Sequence, residues 1–137
     1  MSTIRQRIIA IALEQVGSKG GARYGHDGLW CGAFVCWCLR EAGLDIEAEH
    51  PKAGENLCTT LPVVSKPEPG DIVRYQDNHC AIVLEWDSGV IHTVDGSHSD
   101  ESVKVNVRWH TQRMSFYSIS ELIRCQEMTG ARTSDVI

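Results

Sequence analysis

The sequence contains no long hydrophobic run, no block of basic residues and no internal repeat. No window approaches the roughly 18 consecutive apolar residues that a spanning helix needs, which excludes an integral membrane protein. The net charge of −5 argues against binding to nucleic acid backbones and gives no attraction to an anionic membrane. We therefore expect neither a nucleic acid nor a membrane as a partner.

The N-terminal region also lacks the features of a secretory signal. A short apolar stretch follows residues 1–7, but Glu14 and Gln15 interrupt it and no small-residue cleavage site follows. We expect the chain to be made in the cytoplasm without a signal peptide. The length of 137 residues and the 42% hydrophobic content predict one domain over 1–137, with its core at about 3–123. For the tail over 124–137 we consider disorder.

Six cysteines are present, but their irregular spacing is not that of a disulfide framework. They are Cys31, Cys36, Cys38, Cys58, Cys80 and Cys125. We interpret most of them as reduced, buried, small hydrophobic residues. In the alternative of a metal-binding module, these cysteines and His79 supply the ligands. The spacing within residues 31–38 does not fit an ordinary structural zinc site, and adjacent residues of a strand, such as His79 and Cys80, point to opposite faces. We therefore expect no metal and no other cofactor.

Helical and strand patterns are segregated along the chain. Thr3 and Gln6 form a capping-box sequence before an apolar stripe, which predicts a helix to about Val16, and residues 30–42 predict a second, buried helix. Residues 45–70 are loop-like. The stretches that predict strands are 72–75, 80–86, 90–94 and 103–108, and residues 115–123 offer one more short strand or turn. Helices followed by an antiparallel meander indicate an α+β fold, with N-terminal helices packed on the sheet.

Cys31 follows a glycine-rich loop over 17–28 and begins the predicted buried helix. The N–H groups and the dipole of a helix N-terminus favour a thiolate over a thiol. A thiol with an unperturbed pKa of roughly 8.5 needs such help or an adjacent base to act as a nucleophile. His79, at the start of an apolar strand, is the candidate base. Asp95, at the end of the next strand, is the candidate for orienting the imidazole.

Several segments occur in an informative order along the chain. They are Tyr24-Gly25, Trp30-Cys31-Gly32-Ala33-Phe34-Val35, Pro69-Gly70-Asp71-Ile72-Val73, His79-Cys80-Ala81-Ile82-Val83 and Val94-Asp95-Gly96. Together they resemble the CHAP family, the cysteine, histidine-dependent amidohydrolases/peptidases related to the NlpC-type papain-like enzymes. The resemblance covers roughly residues 4–108 and implies a papain-like fold.

The resemblance also implies the roles of individual residues. By it, Cys31 is the nucleophile, His79 the general base and Asp95 the third member of the catalytic site. The family usually has Glu-Gly-Asn where this sequence has residues 95–97, so the acid here is one methylene shorter. Tyr24 and Trp30 are expected to bind substrate, Tyr24 because NlpC-type relatives carry a tyrosine in the loop before the nucleophile.

The activity that this resemblance implies is hydrolysis of a peptide or amide bond in bacterial peptidoglycan, by an amidase or an endopeptidase. The expected partner is peptidoglycan or its peptide fragments. Without a signal peptide, such an enzyme reaches the cell wall after phage lysis, as a phage-tail component or by specialised export. An exported toxin would have an immunity or inhibitor protein as a partner. The alternative within the same fold is a catalytically inactive binding module.

Overall fold

The computed structural model describes residues 3–20, 22–24, 30–46, 57–76, 79–96 and 102–128. The α-helices in this part of the chain are α1 (Ile4–Glu14), α2 (Cys31–Glu41) and α3 (Ser120–Met128), and a 3₁₀-helix spans Ala22–Tyr24. The strands are β1 (Val63–Val64), β2 (Ile72–Tyr75), β3 (Cys80–Asp87), β4 (Val90–Asp95), β5 (Lys104–Trp109) and β6 (Met114–Tyr117). The prediction of an α+β fold is confirmed.

The six strands form one antiparallel sheet in the order β1-β6-β2-β3-β4-β5. The meander from β2 to β5 agrees with the four predicted strands. Two features differ from the sequence prediction. The loop-like stretch 45–70 contains β1, and α3 follows β6 and continues to Met128, beyond the predicted end of the core. Neither is easily predicted, because β1 has only two residues and α3 buries none of its residues completely.

The N-terminal helix begins as its sequence predicts. The Thr3 hydroxyl accepts a hydrogen bond from the Gln6 N–H at 3.1 Å, and the Gln6 side chain accepts one from the Thr3 N–H at 2.9 Å. This capping box satisfies N–H groups that have no acceptor within the helix. The helix ends at Glu14, two residues before the predicted end.

The larger hydrophobic cluster contains residues of α1 and α2 together with one set of alternating sheet residues. That set includes Ile72, Ile82 and Val94. Residues of the opposite alternation, including Val73, Val83 and Ile91, belong to a second, smaller cluster. Since successive strand side chains point to opposite faces, the helices cover one face of the sheet and the smaller cluster lies on the other.

The Pro69-Gly70-Asp71 segment has a structural role in this fold. Asp71 is only 1% exposed, and its carboxylate accepts hydrogen bonds from the Arg5 guanidinium at 2.9 Å and from the Ile119 N–H at 3.0 Å. The buried carboxylate therefore joins α1, the start of β2 and the segment that enters α3. Gly70 has a φ of +92°, a conformation that glycine adopts without strain.

None of the helices in the described ranges is both long enough and apolar enough to cross a membrane.

Candidate active site

Cys31 is the first residue of α2, and the residue before it is Trp30, whose side chain makes no capping hydrogen bond. The first intrahelical bond joins the Phe34 N–H to the Trp30 carbonyl at 2.9 Å. The N–H groups of the preceding residues of this turn have no acceptor within the helix, and the helix dipole places a partial positive charge there. The start of α2 is therefore electrostatically suited to a thiolate at Cys31.

His79 and Asp95 lie at the same end of the sheet. His79 immediately precedes β3, Asp95 is the last residue of β4, and the two strands are antiparallel neighbours. The His79 Nε2 atom is 2.7 Å from the Asp95 Oδ2 atom. The aspartate side chain is therefore long enough to reach the imidazole, although it is one methylene shorter than a glutamate.

Further polar side chains surround the Asp95 carboxylate, which is completely buried. The Thr93 hydroxyl donates a hydrogen bond to Oδ1, and the Arg108 Nη2 atom lies 3.5 Å from Oδ2. Burial raises the pKa of Asp95, but the hydrogen bonds from His79 and Thr93 and the charge of His79 outweigh it and lower that pKa. Asp95 is therefore held as a carboxylate.

Gly96 allows the end of β4 to approach α2 closely. A Cβ atom at this position would lie 2.8 Å from both the Phe34 Cβ and the Trp30 Cζ3 atoms. Real Cβ atoms do not approach other heavy atoms so closely, so any side chain here would push β4 away from the start of the helix. The glycine after Asp95 is thus required by packing between the strand and the helix.

The thiol of Cys31 is hydrogen-bonded to two side chains, those of Cys80 and His79. Because Asp95 binds Nε2 of the imidazole, Nδ1 is the ring nitrogen that remains for Cys31. The hydrogen bonds from Cys80 and His79 and the positive charge of His79 outweigh the effect of burial and lower the pKa of Cys31 to about 4. Burial lowers the pKa of His79, but Asp95 and Cys31 outweigh it and raise that pKa to about 9. A thiolate–imidazolium pair is the result at neutral pH.

Cys80 is a site residue that the sequence analysis did not identify as functional. Its hydrogen bond to Cys31 and its burial raise its own pKa well above the ordinary value, so it remains a thiol and donates its S–H. Strand alternation predicted that His79 and Cys80 would point apart. Instead both contact Cys31, because His79 lies one residue before the regular strand begins. The sequence feature that could have indicated this role is the position of Cys80 directly after the candidate base, His79.

The other cysteines differ from Cys31 in their surroundings. Cys36, Cys38 and Cys58 are buried, whereas Cys125 is exposed, and none of them forms a disulfide. Burial raises the pKa of Cys36 to about 12 and raises that of Cys38 further. Across the described residues, no group of three histidine, cysteine or acidic side chains is arranged to hold a metal ion.

Tyr24 and Trp30, which the sequence analysis assigned to substrate binding, lie in the core. Their exposed fractions are 2% and 1%, and their rings stack with centroids 5.3 Å apart. The Tyr24 hydroxyl donates a hydrogen bond to the Gln15 side chain at 3.1 Å. The two rings therefore pack against the start of α2. The cavity beside His79 is lined by other residues.

Parts of the predicted site region lie outside the described residues. They are residue 21 and residues 25–29 of the glycine-rich loop, residues 77–78 before His79, and Ser97 after Gly96.

The sequence matches no model of a known protein family, and it has no significant match among curated proteins.

Proposed function

We propose that this protein is a cysteine-dependent amidohydrolase or peptidase with a papain-like fold, and that Cys31, His79 and Asp95 are its catalytic residues. The observation that carries the proposal is the hydrogen-bonded series from Cys31 to His79 to Asp95, with the pKa of Cys31 lowered to about 4. A buried structural cysteine has no need of such a partner, and burial alone raises the pKa of a thiol, as it does at Cys36.

In the first half of the reaction, the Cys31 thiolate attacks the carbonyl carbon of the scissile amide and forms a tetrahedral oxyanion. N–H groups at the start of α2 are suited to stabilising this charge. When the intermediate collapses, the C–N bond breaks and the imidazolium of His79 transfers its proton to the departing nitrogen. The products of this half are a free amine and a thioester on Cys31.

In the second half, the now neutral His79 takes a proton from a water molecule as that water attacks the thioester carbonyl. The C–S bond breaks, a carboxylic acid leaves, and the thiolate–imidazolium pair is restored. Throughout both halves, Asp95 holds the imidazole by Nε2, which keeps Nδ1 directed at Cys31 and stabilises the protonated ring.

The proposed substrate class is bacterial peptidoglycan or its peptide fragments, and it rests on the resemblance to the CHAP family. The proposal extends to action on the cell wall, which the protein would reach after phage lysis, as part of a phage tail or by specialised export. In the case of specialised export, the protein is a toxin and an immunity or inhibitor protein is its partner.

The test is digestion of purified sacculi, with the released muropeptides identified by mass spectrometry. We expect the wild-type protein to release fragments with new amine and carboxyl ends. The Cys31→Ala and His79→Ala variants should release none above background, because the first lacks the atom that forms the thioester and the second lacks the proton carrier.

The Cys125→Ala variant is the matched control, since it removes an exposed cysteine of α3 that lies outside the site. It should retain wild-type activity. Circular dichroism should show that every variant is folded. Undiminished hydrolysis by folded Cys31→Ala protein, or no hydrolysis by the wild type, would contradict the proposal, and the latter result would favour an inactive binding module.

A further inference from the structure

A cavity of about 210 Å³ opens beside the candidate base. Its lining consists of Tyr75, Gln76, His79, Arg108, Thr111 and Arg113. A second cavity of about 230 Å³ shares Tyr75, Gln76 and Arg113 with the first and adds Arg74. Because they share three lining residues, the two cavities adjoin. We call the combined depression the arginine groove and define it by Arg74, Arg108 and Arg113.

The charge of the arginine groove is opposite to that of the whole chain. Three guanidinium groups line it, and the described lining residues include no carboxylate. The chain as a whole has a net charge of −5. A concentration of one sign of charge in a concave surface raises the local concentration of ligands of the opposite sign. The groove therefore favours an anionic group.

Arg108 connects this groove to the candidate catalytic residues. Its Nη2 atom lies 3.5 Å from the Asp95 carboxylate, and its Cζ atom lies 4.8 Å from the centre of the Tyr75 ring. Tyr75 also stacks on the His79 imidazole at 5.4 Å. These contacts hold the guanidinium in place, and 34% of the side chain remains exposed. An anion bound in the groove would thus be positioned relative to His79.

We infer that the arginine groove binds a carboxylate of the substrate, on the fragment that supplies the departing amine. Guanidinium groups bind carboxylates through paired hydrogen bonds, which orient as well as attract them. The assignment to the amine side follows from His79, which adjoins the groove and donates its proton to the departing nitrogen. This inference rests on the proposed function, since it assumes that His79 protonates a leaving amine.

The test measures binding separately from catalysis. The Cys31→Ala protein is titrated by calorimetry with a synthetic stem peptide that has a free C-terminal carboxylate, and with the same peptide as its C-terminal amide. We expect the carboxylate form to bind about tenfold more tightly, which corresponds to roughly 1.4 kcal/mol. Adding Arg113→Gln should abolish this preference, because Arg113 lines both cavities.

Arg124→Gln is the matched control, since Arg124 pairs with Glu121 on α3 and does not line the groove. This change should leave the preference intact. In the otherwise wild-type enzyme, Arg113→Gln should raise KM for the carboxylate peptide and leave kcat unchanged.

Equal binding of the two peptides, no binding of either, or a preference that survives Arg113→Gln would overturn the inference. These results leave the proposed function standing if the wild type still hydrolyses sacculi. Absence of Cys31-dependent hydrolysis would instead overturn the proposed function itself.

Discussion

The two N-terminal helices, α1 and α2, begin in different ways. The start of α1 stabilises the helix, whereas the start of α2 favours the ionised form of a cysteine. At the start of α1, the side chains of Thr3 and Gln6 form a complete capping box. At the start of α2, the Trp30 side chain makes no capping bond, and the first helical residue is Cys31. In α1, capping side chains satisfy N–H groups of the first turn. In α2, the corresponding N–H groups have no capping side chain and lie beside Cys31, a thiol of lowered pKa.

The N-terminus of a helix is a favourable electrostatic site for a negative or electron-rich group. In α1 this site holds a capping side chain. In α2 it holds Cys31, the nucleophile that we propose. A side-chain oxygen at the first site stabilises the helix. An ionised sulfur at the second site is a nucleophile.

The largest effect should come from exchanging sulfur for oxygen at the start of α2. We expect Cys31→Ser to lower kcat/KM by at least about 10³-fold, because a serine hydroxyl is not ionised at neutral pH and loss of a nucleophile costs up to about 10⁶-fold in kcat. Thr3→Ser is the matched change at α1 and should leave kcat/KM within about twofold, since serine also caps helices. Equal losses in both variants would show that Cys31 acts only through helix stability.

Removing the group that holds the imidazole should have the next largest effect. We expect Asp95→Ala to lower kcat/KM by about 10²-fold or more, because the ring then loses its orientation and the stabilisation of its charge. Asp45→Ala, at an exposed acid near the end of α2, is the control and should have no effect. Full activity in folded Asp95→Ala would show that another group orients His79.

The conservative variant Asp95→Asn distinguishes orientation from charge. By the proposed mechanism, wild-type activity requires the Cys31 thiolate, which is lost as pH falls through about 4, and the His79 imidazolium, which is lost as pH rises through about 9. Asparagine still accepts a hydrogen bond from Nε2 but has no charge, so it should lower the pKa of His79. The alkaline limb of the kcat/KM profile should therefore move to lower pH, and a limb that does not move would contradict this account.

Alkylation should show a smaller difference, between Cys31 and the exposed Cys125. At pH 5.5 a thiol of ordinary pKa is ionised to only about 10⁻³, whereas Cys31, with its pKa of about 4, is almost fully ionised. A thiolate of lower pKa is also less nucleophilic, by about 10²-fold over this range, so the net advantage is about tenfold. Peptide mapping after iodoacetamide treatment measures both rates. Faster labelling of Cys125 at pH 5.5 would contradict the lowered pKa.

Cys80 provides an internal check on that reactivity. Replacing it with alanine removes the S–H donor that contributes most to lowering the pKa of Cys31. We therefore expect Cys80→Ala to raise the pKa of Cys31 and so to slow its alkylation at pH 5.5. The rate should recover as the pH is raised, because Cys31 then ionises.

The smallest effect should be on stability, at the start of α1. Thr3→Ala should lower the free energy of unfolding by about 1 kcal/mol, the usual cost of losing a capping side chain, with kcat/KM unchanged. Urea denaturation followed by circular dichroism measures this cost. A loss of activity without a loss of stability would contradict the division between the two helix starts.

The regular elements were largely predictable because their patterns are local. The capping box at Thr3, the all-round apolar character of α2 and the alternation in β5 all follow from residues close together in sequence. The spacing within a capping box and the 3.6- and 2-residue repeats of helices and strands are set by the local backbone, not by the rest of the fold. The elements that were missed, β1 and α3, are short or mostly exposed, so their hydrophobic pattern carries little information.

Local patterns in the sequence were enough to predict the α+β order and the position of Cys31 at a helix start. They were also enough to select His79 and Asp95 as its candidate partners. The contacts between distant segments became visible only in the folded chain. Asp95 reaches His79, Gly96 permits the close approach of β4 to α2, Cys80 donates to Cys31, and Arg108 adjoins the site. The physical reason is that a hydrogen bond requires two atoms within about 3 Å, and for residues tens of positions apart that distance is set by how strands pair and how a helix packs on them.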